Sequence, residues 1–152
     1  MRAALIQMPV IPDKTKNIET ACEKIREAAA NGADVAVLPE MFCCPYQNEC
    51  FRPYGEPEGG EAQAALSALA AELGIYLVGG TVPELEGDRV YNTCYVYGPD
   101  GRTLAKHRKA HLFDIDVPGG QRFKESDTFT PGGQITTFDT AFGTMGLCVC
   151  FD

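Results

Sequence analysis

The chain contains no tryptophan, no long apolar run and no excess of basic residues. No run approaches the roughly 20 apolar residues of a membrane span, and residues 1–5 lack the longer apolar core of a signal peptide. Lys and Arg number 13 against 21 Asp and Glu, which gives a net charge of −8 and argues against a nucleic-acid surface. We therefore expect a cytoplasmic protein that binds neither a membrane nor nucleic acid.

The chain also lacks the cysteine spacing of a disulfide framework or a zinc site. Its seven cysteines are an odd number and include no CxxC pair. Such spacing favours reduced thiols. A metal or redox module remains an alternative of another class, and its ligands would come from Cys43, Cys44, Cys50, Cys148 and Cys150. We expect no metal and no organic cofactor.

The apolar pattern predicts two helices and about seven strands. Spacings of three and four predict helices between Asp13 and Gly32 and over 62–73. Strands are predicted over 2–10, 34–38, 75–81, 90–97, 102–107, 134–139 and 144–151. The segments 41–60 and 110–133 have no period and are predicted to be long, functional loops. This mixture predicts an α/β fold in which helices cover a mixed sheet.

The last predicted strand, 144–151, ends in a thiol. Its apolar density favours a central strand buried on both faces, with Cys150 near the carboxyl end and Cys148 in packing. A cysteine at the carboxyl end of such a strand emerges at the rim of the sheet, where it is placed to act as a nucleophile. For any single cysteine, the alternative is a buried core residue.

Two further polar residues follow predicted strands, at the positions where a sheet displays reactive groups. Glu40 comes after the strand 34–38, and Lys109 comes after the strand 102–107. A carboxylate can accept the proton of a thiol and later return it to a leaving amine. An ammonium can stabilise the oxyanion of a tetrahedral intermediate. Glu40, Lys109 and Cys150 together are sufficient for acyl transfer.

Three segments resemble the signature segments of the nitrilase, or carbon–nitrogen hydrolase, superfamily in order and spacing. They are LPEMF at 38–42, HRKAHLF at 107–113 and GLCVCFD at 146–152. The resemblance implies that Glu40 is the general base, Lys109 the oxyanion-stabilising cation and Cys150 the nucleophile of a thioester mechanism. The aromatic–Asp pair that follows Cys150 is what selects it over Cys148.

The resemblance extends to residues around this triad. It implies a supporting carboxylate at Glu125, which would orient Lys109 and the leaving group, and a substrate-binding aromatic at Tyr46. In the same mechanism, the backbone N–H of Phe151 would help to hold the oxyanion. The alternative for Glu125 is a solvated loop carboxylate, and Tyr46 is equally well interpreted as a packing aromatic.

The segment 107–133, which includes DIDVPG at 114–119, is most similar to the ω-amidase branch of this superfamily. That branch releases ammonia from small dicarboxylate monoamides such as α-ketoglutaramate and α-ketosuccinamate. The resemblance implies a four-layer α-β-β-α sandwich and a homo-oligomer. Residues 1–152 are expected to be the N-terminal portion of one such domain, ending just after the nucleophile strand and needing a C-terminal half.

Several alternatives stay open. A nitrilase or an N-carbamoyl amidohydrolase would use the same Glu-Lys-Cys site. A Cys-His hydrolase would pair Cys150 with His107 or His111, because imidazole is the commoner partner of a catalytic thiol. A catalytically incompetent fragment or structural subunit would keep the fold without the reaction. Glu40→Gln would abolish turnover in the Glu-Lys-Cys mechanism and spare a Cys-His enzyme.

Overall fold

The centre of the computed structural model, which describes all 152 residues, is a six-stranded mixed sheet. Its strands are β1 (Ala3–Leu5), β2 (Val35–Val37), β3 (Tyr76–Val78), β4 (Val82–Glu86), β5 (Arg89–Tyr97) and β6 (Thr103–Arg108). Strands β1, β2 and β3 pair in parallel, and β5 is antiparallel to β3, β4 and β6. The prediction of an α/β fold with a mixed sheet is confirmed.

Three helices connect these strands: α1 (Lys14–Ala30), α2 (Asn48–Tyr54) and α3 (Glu61–Leu73). Asp13 caps α1 by accepting from the Lys16 N–H, and Gly74 ends α3 in the left-handed conformation. The apolar faces of α1 and α3 pack together on one face of the sheet and form the largest buried cluster. No helix here has both the length and the apolar character needed to cross a membrane.

The opposite face of the sheet is covered by a separate antiparallel hairpin. This hairpin consists of β9 (Thr136–Thr140) and β10 (Gly143–Leu147). A smaller hairpin, β7 (Asp114–Asp116) and β8 (Arg122–Lys124), precedes it in the chain. Phe138 of β9 and Val149, just beyond β10, pack on Cys94, Val96 and Ala105 of the sheet. Helices, central sheet and β9–β10 hairpin supply three of the four layers that the resemblance implies.

The sequence analysis did not predict the helices and strands that are too short to show a hydrophobic period. Helix α2 lies inside the predicted loop 41–60, and it has seven residues with Pro53 among them. Strands β7 and β8 and a single 3₁₀ turn at Glu125–Asp127 lie inside the predicted loop 110–133. The structure therefore has three α-helices and ten strands, where two helices and about seven strands were predicted.

The prediction of a central, doubly buried strand over 144–151 is wrong. Strand β10 ends at Leu147, pairs only with β9, and is covered by the protein on one face alone. Cys148 is exposed and is not a packing residue. Cys150 lies beyond the strand, in a turn, with a φ of 49°. An apolar run shows that a segment can be buried, but it does not show on how many faces.

A buried carboxylate on β4 joins β5 and β6 on the helix-covered face of the sheet. Glu84 is 1% exposed and accepts hydrogen bonds from Thr93 at 2.7 Å and from both Nε and Nη2 of Arg108 at 2.9 Å, and it pairs with Lys106. Burial alone would raise the pKa of Glu84. The hydrogen bonds outweigh burial and lower the pKa to about 2.

Glu84→Gln is expected to lower the free energy of unfolding at neutral pH by about 1 to 3 kcal/mol, the usual worth of hydrogen bonds to a charged group. Because the pKa is lower in the folded state, the carboxylate stabilises the fold fully above about pH 4.5, and this contribution is lost as the pH falls through about 2. Urea unfolding at stepwise lower pH should therefore show the parent and the variant converging.

Glu86→Gln is the matched control, since Glu86 also pairs with Arg108 but its side chain is 58% exposed. It should change stability little. A Glu84→Gln deficit that stays constant down to about pH 2 would contradict the assigned role of this carboxylate.

Candidate active site

Glu40 is held in place by the tight passage of the chain beyond β2. The Leu38 N–H still bonds to the β3 carbonyl of Val78 at 3.0 Å, and Pro39 ends the pairing. Met41 then adopts a φ of 52°, and its N–H donates to the Thr81 hydroxyl at 2.9 Å. Glu40 lies between these two fixed points, and its side chain is 21% exposed.

Lys109 follows β6 and is fully buried, at 0% exposure. Its N–H donates to the Asn92 carbonyl of β5 at 2.9 Å, which continues the sheet pairing by one residue. Its Nζ lies 2.9 Å from Oε1 of Glu40 and 2.9 Å from Oε2 of Glu125. The ammonium thus bridges two carboxylates that are 85 positions apart in the chain (125 − 40).

Glu125 opens the 3₁₀ turn after β8, and its side chain is completely buried. Besides Lys109, it accepts hydrogen bonds from the Tyr46 hydroxyl at 2.6 Å, Asn92 Nδ2 at 3.3 Å and the Phe113 N–H at 2.6 Å. Both of its oxygens are occupied by protein donors, so Glu125 holds the other groups in position and has no oxygen left for substrate.

Asn92 is a site residue to which the sequence analysis gave no role. Its Nδ2 donates to Oε1 of Glu40 at 2.7 Å and reaches Glu125 as well, so it bridges the same two carboxylates as Lys109. Its Oδ1 is buried without a partner. The available signal was an amide in the middle of the otherwise apolar and β-branched run 90–97, where a polar side chain needs buried partners.

We call Glu40, Tyr46, Asn92, Lys109 and Glu125 the Lys109 cluster. Burial alone would lower the pKa of Lys109, but hydrogen bonds from Nζ to Glu125 and Glu40 outweigh burial and raise it. Burial and the hydrogen bond to Glu125 raise the pKa of Tyr46. At neutral pH the cluster therefore contains an ammonium and a protonated phenol.

Cys150 lies against this cluster on its exposed side. Burial, and then the charge of Glu40, raise the pKa of the thiol, while Lys109 acts in the opposite direction. The resting group is consequently a thiol beside a carboxylate. The next residue, Phe151, has a backbone N–H that donates to no acceptor in the protein. The geometry brings together the residues that the sequence analysis named as base, cation, supporting carboxylate and nucleophile.

Tyr46 and the two histidines have other partners. The Tyr46 hydroxyl is used by Glu125, and its ring packs 5.4 Å from Phe51 and 5.3 Å from Phe123, so its role in binding substrate stays a prediction. His107 Nε2 lies 2.9 Å from the Asp152 carboxylate and His111 Nδ1 lies 3.3 Å from it. Neither imidazole makes a hydrogen bond to Cys150, so the geometry does not favour a Cys-His pair.

No group of three or more His, Cys, Asp or Glu side chains is arranged to hold a metal ion. All seven cysteines are free.

Comparison with known proteins agrees with this arrangement. Residues 2–152 match the family model described as carbon-nitrogen hydrolase. Over 151 residues the chain is 50% identical to omega-amidase NIT2 of Homo sapiens and 48% identical to omega-amidase NIT2 of Xenopus tropicalis, with 99% of this chain and 55% of each relative covered. The chain thus spans about half the length of these relatives.

A solved structure shows the same fold. Nit3 of Saccharomyces cerevisiae, a member of branch 10 of the nitrilase superfamily, superposes with a TM-score of 0.85 at 37% identity, and the match covers 98% of this chain and 55% of that one. Together with the family match over residues 2–152, this likeness shows that the chain belongs to the carbon–nitrogen hydrolase family.

Proposed function

We propose that this site hydrolyses the amide of small dicarboxylate monoamides and releases ammonia through a thioester on Cys150. The observation that carries the proposal is the Lys109 ammonium, buried and bridging Glu40 and Glu125 at 2.9 Å beside the thiol. The identity to proteins described as omega-amidases supports the substrate class.

The hydrogen bonds distinguish the two carboxylates. Oε1 of Glu40 accepts from both Lys109 and Asn92, while its Oε2 accepts from no protein donor. Glu125 has both oxygens occupied. Glu40 is also the one that reaches solvent. Since a general base needs a lone pair directed at the proton it takes, Glu40 is the base and Glu125 the support.

In the first half-reaction, Glu40 takes the thiol proton as Sγ of Cys150 attacks the amide carbon. The carbonyl electron pair moves onto oxygen, and this oxyanion is held by an N–H of Lys109 and by the backbone N–H of Phe151. An ammonium has three N–H donors, and two of those on Lys109 are used by carboxylates, so one remains for the oxyanion. Such donors are typically worth about 3 to 4 kcal/mol each in the transition state.

Collapse of the tetrahedral intermediate then breaks the carbon–nitrogen bond. Glu40 returns the proton to the departing nitrogen, ammonia leaves, and a thioester on Cys150 remains. In the second half-reaction Glu40 takes a proton from water, hydroxide oxygen adds to the thioester carbon, and the thiol is regenerated with its proton while the carboxylic acid leaves.

Other substrate classes, and a chain that is inactive by itself, remain as alternatives. Nitriles and N-carbamoyl compounds could use the same thiol, ammonium and base, so a comparison of the three substrate classes is part of the test. Because the chain spans about 55% of the length of its relatives, a catalytically incompetent fragment is the competing proposal from another class. A homo-oligomer and a cytoplasmic location are also proposals; the free cysteines favour a reducing compartment.

The test is intact-mass spectrometry after brief exposure to α-ketosuccinamate, with peptide mapping and an ammonia assay. A thioester on Cys150 is expected, and Glu40→Gln should lower ammonia release by about 10² to 10⁴, the usual contribution of a general base. Glu23→Gln, an identical change on the exposed side of α1, is the control. Equal turnover in the two variants would refute the role of Glu40, and the absence of any adduct would favour the incompetent fragment.

A further inference from the structure

Asp152 is an almost fully buried carboxylate that the proposed reaction does not use. Its side chain is 6% exposed. It accepts hydrogen bonds from the backbone N–H groups of Ala110 and His111 at 2.9 Å, from the Val149 N–H at 3.0 Å and from His107 Nε2 at 2.9 Å. Four well-formed hydrogen bonds to one carboxylate indicate a built structural site.

The two oxygens of Asp152 bind two different parts of the chain. Oδ1 accepts from Ala110 and His111, which directly follow Lys109. Oδ2 accepts from Val149, which directly precedes Cys150, and from His107 of β6. One side chain therefore joins the backbone that presents the nucleophile to the backbone that presents the cation.

The turn that Asp152 closes is also strained. Cys150 has a φ of 49°, in the left-handed region that a residue with a Cβ enters at a cost. The Asp152 N–H donates to the Val149 carbonyl at 3.0 Å and completes the turn, while Val149 itself is 6% exposed and packs in the cluster with Cys94 and Phe138. These contacts hold Cys150 in this conformation, since its own side chain is exposed.

We infer that Asp152 is a positioning residue, which clamps the Cys150 turn onto the chain around Lys109 so that the thiol faces Glu40. The significance of this clamp for catalysis rests on the proposed function; the clamp itself does not. His107 acts with it, because its second ring nitrogen lies 3.0 Å from the Thr136 hydroxyl of β9. The imidazole therefore ties Asp152 to both β6 and β9.

The test compares Asp152→Asn with the parent by following iodoacetamide labelling of Cys150 as a function of pH, with Cys148 as the reference in the same molecule. In the parent, burial and the charges of Glu40 and Glu125 raise the pKa of the Cys150 thiol against the opposing charge of Lys109, so its labelling midpoint should lie above the ordinary value. In Asp152→Asn the midpoint should fall towards an ordinary thiol value of about 8.5, and the labelling ratio of the two exposed cysteines should approach about one.

Asp88→Asn, the same change in the exposed turn before β5, should leave the profile unaltered. A downfield ring N–H resonance of His107 should be present in the parent and absent in Asp152→Asn. A purely structural role would lower stability and leave the Cys150 profile of the folded protein unchanged, and that result overturns the inference.

A second variant covers the case in which Asp152→Asn does not fold. His107→Gln removes one of the four donors and should shift the midpoint less, in the same direction; no shift in a folded protein also overturns the inference. Labelling needs no turnover. If the Cys150 labelling profile shifts in the variants but the protein never releases ammonia, the inference about the clamp stands and the proposed function is refuted.

Discussion

Lys109→Met is expected to abolish ammonia release and to destabilise the fold. Removal of the ammonium leaves Glu40 and Glu125 facing each other without a cation, and Glu125 is completely buried. Removing one partner of a buried ion pair typically costs about 3 to 5 kcal/mol. Losing one oxyanion donor lowers kcat by about 10² to 10³, and the misplaced Glu40 should add to that loss.

Urea unfolding and an ammonia assay on the same preparation measure the two effects. The control is Lys109→Met combined with Glu125→Gln, which removes the uncompensated buried charge as well as the cation. The double variant should recover much of the lost stability and none of the activity. If Lys109→Met were as stable as the parent, the ammonium would not be balancing the two carboxylates, and the arrangement of the Lys109 cluster would need a different explanation.

Gly80→Ala is expected to displace Glu40 and to cost more stability than the same change at Gly87. A Cβ on Gly80 would lie 2.2 Å from the Pro39 carbonyl oxygen and 2.9 Å from the Leu38 Cβ. A contact of 2.2 Å with a backbone atom forces the chain before Glu40 to move. Overpacking of this kind typically costs about 1 to 3 kcal/mol, and a shift of about 1 Å in a catalytic group can cost about 10² in rate.

Gly87→Ala is the control that measures the cost of the left-handed backbone alone. Gly87 has a φ of 58° against 57° for Gly80, and a Cβ on Gly87 would meet nothing within 4 Å. It should lose about 1 to 2 kcal/mol from the left-handed conformation alone and keep its turnover. Thermal unfolding and an ammonia assay compare the stability and the turnover of the two variants. Equal losses in both would mean that the chain around Pro39 yields to the extra methyl group without moving the base.

The sequence allowed Glu40 and Lys109 to be placed because each follows a strand whose end could be predicted. Glu40 comes after a short apolar run stopped by Pro39, and Lys109 comes after the hairpin 90–107. Glu125 had no such signal and was identified by resemblance alone. It follows β8, which has three residues, and its function depends on donors that are distant in the chain.

Asn92 and the environment of Cys150 could not be predicted for a different reason. The role of Asn92 arises from two carboxylates that meet only after the chain has folded, and no local pattern encodes that meeting. The composition of 144–151 predicted burial correctly for Val149 and incorrectly for Cys148. Hydrophobicity alone does not say whether a second sheet lies beyond a strand.

The Lys109 cluster draws its members from residues 40 to 125, so its last member precedes Cys150 by 25 residues (150 − 125). Its ammonium and carboxylates are fixed by one another and by the backbone, and none of those contacts requires the thiol. The ammonium and its two carboxylates are thus positioned independently of the thiol. Under the proposed mechanism, mutational loss of Cys150 would abolish the reaction and leave this part of the site in place.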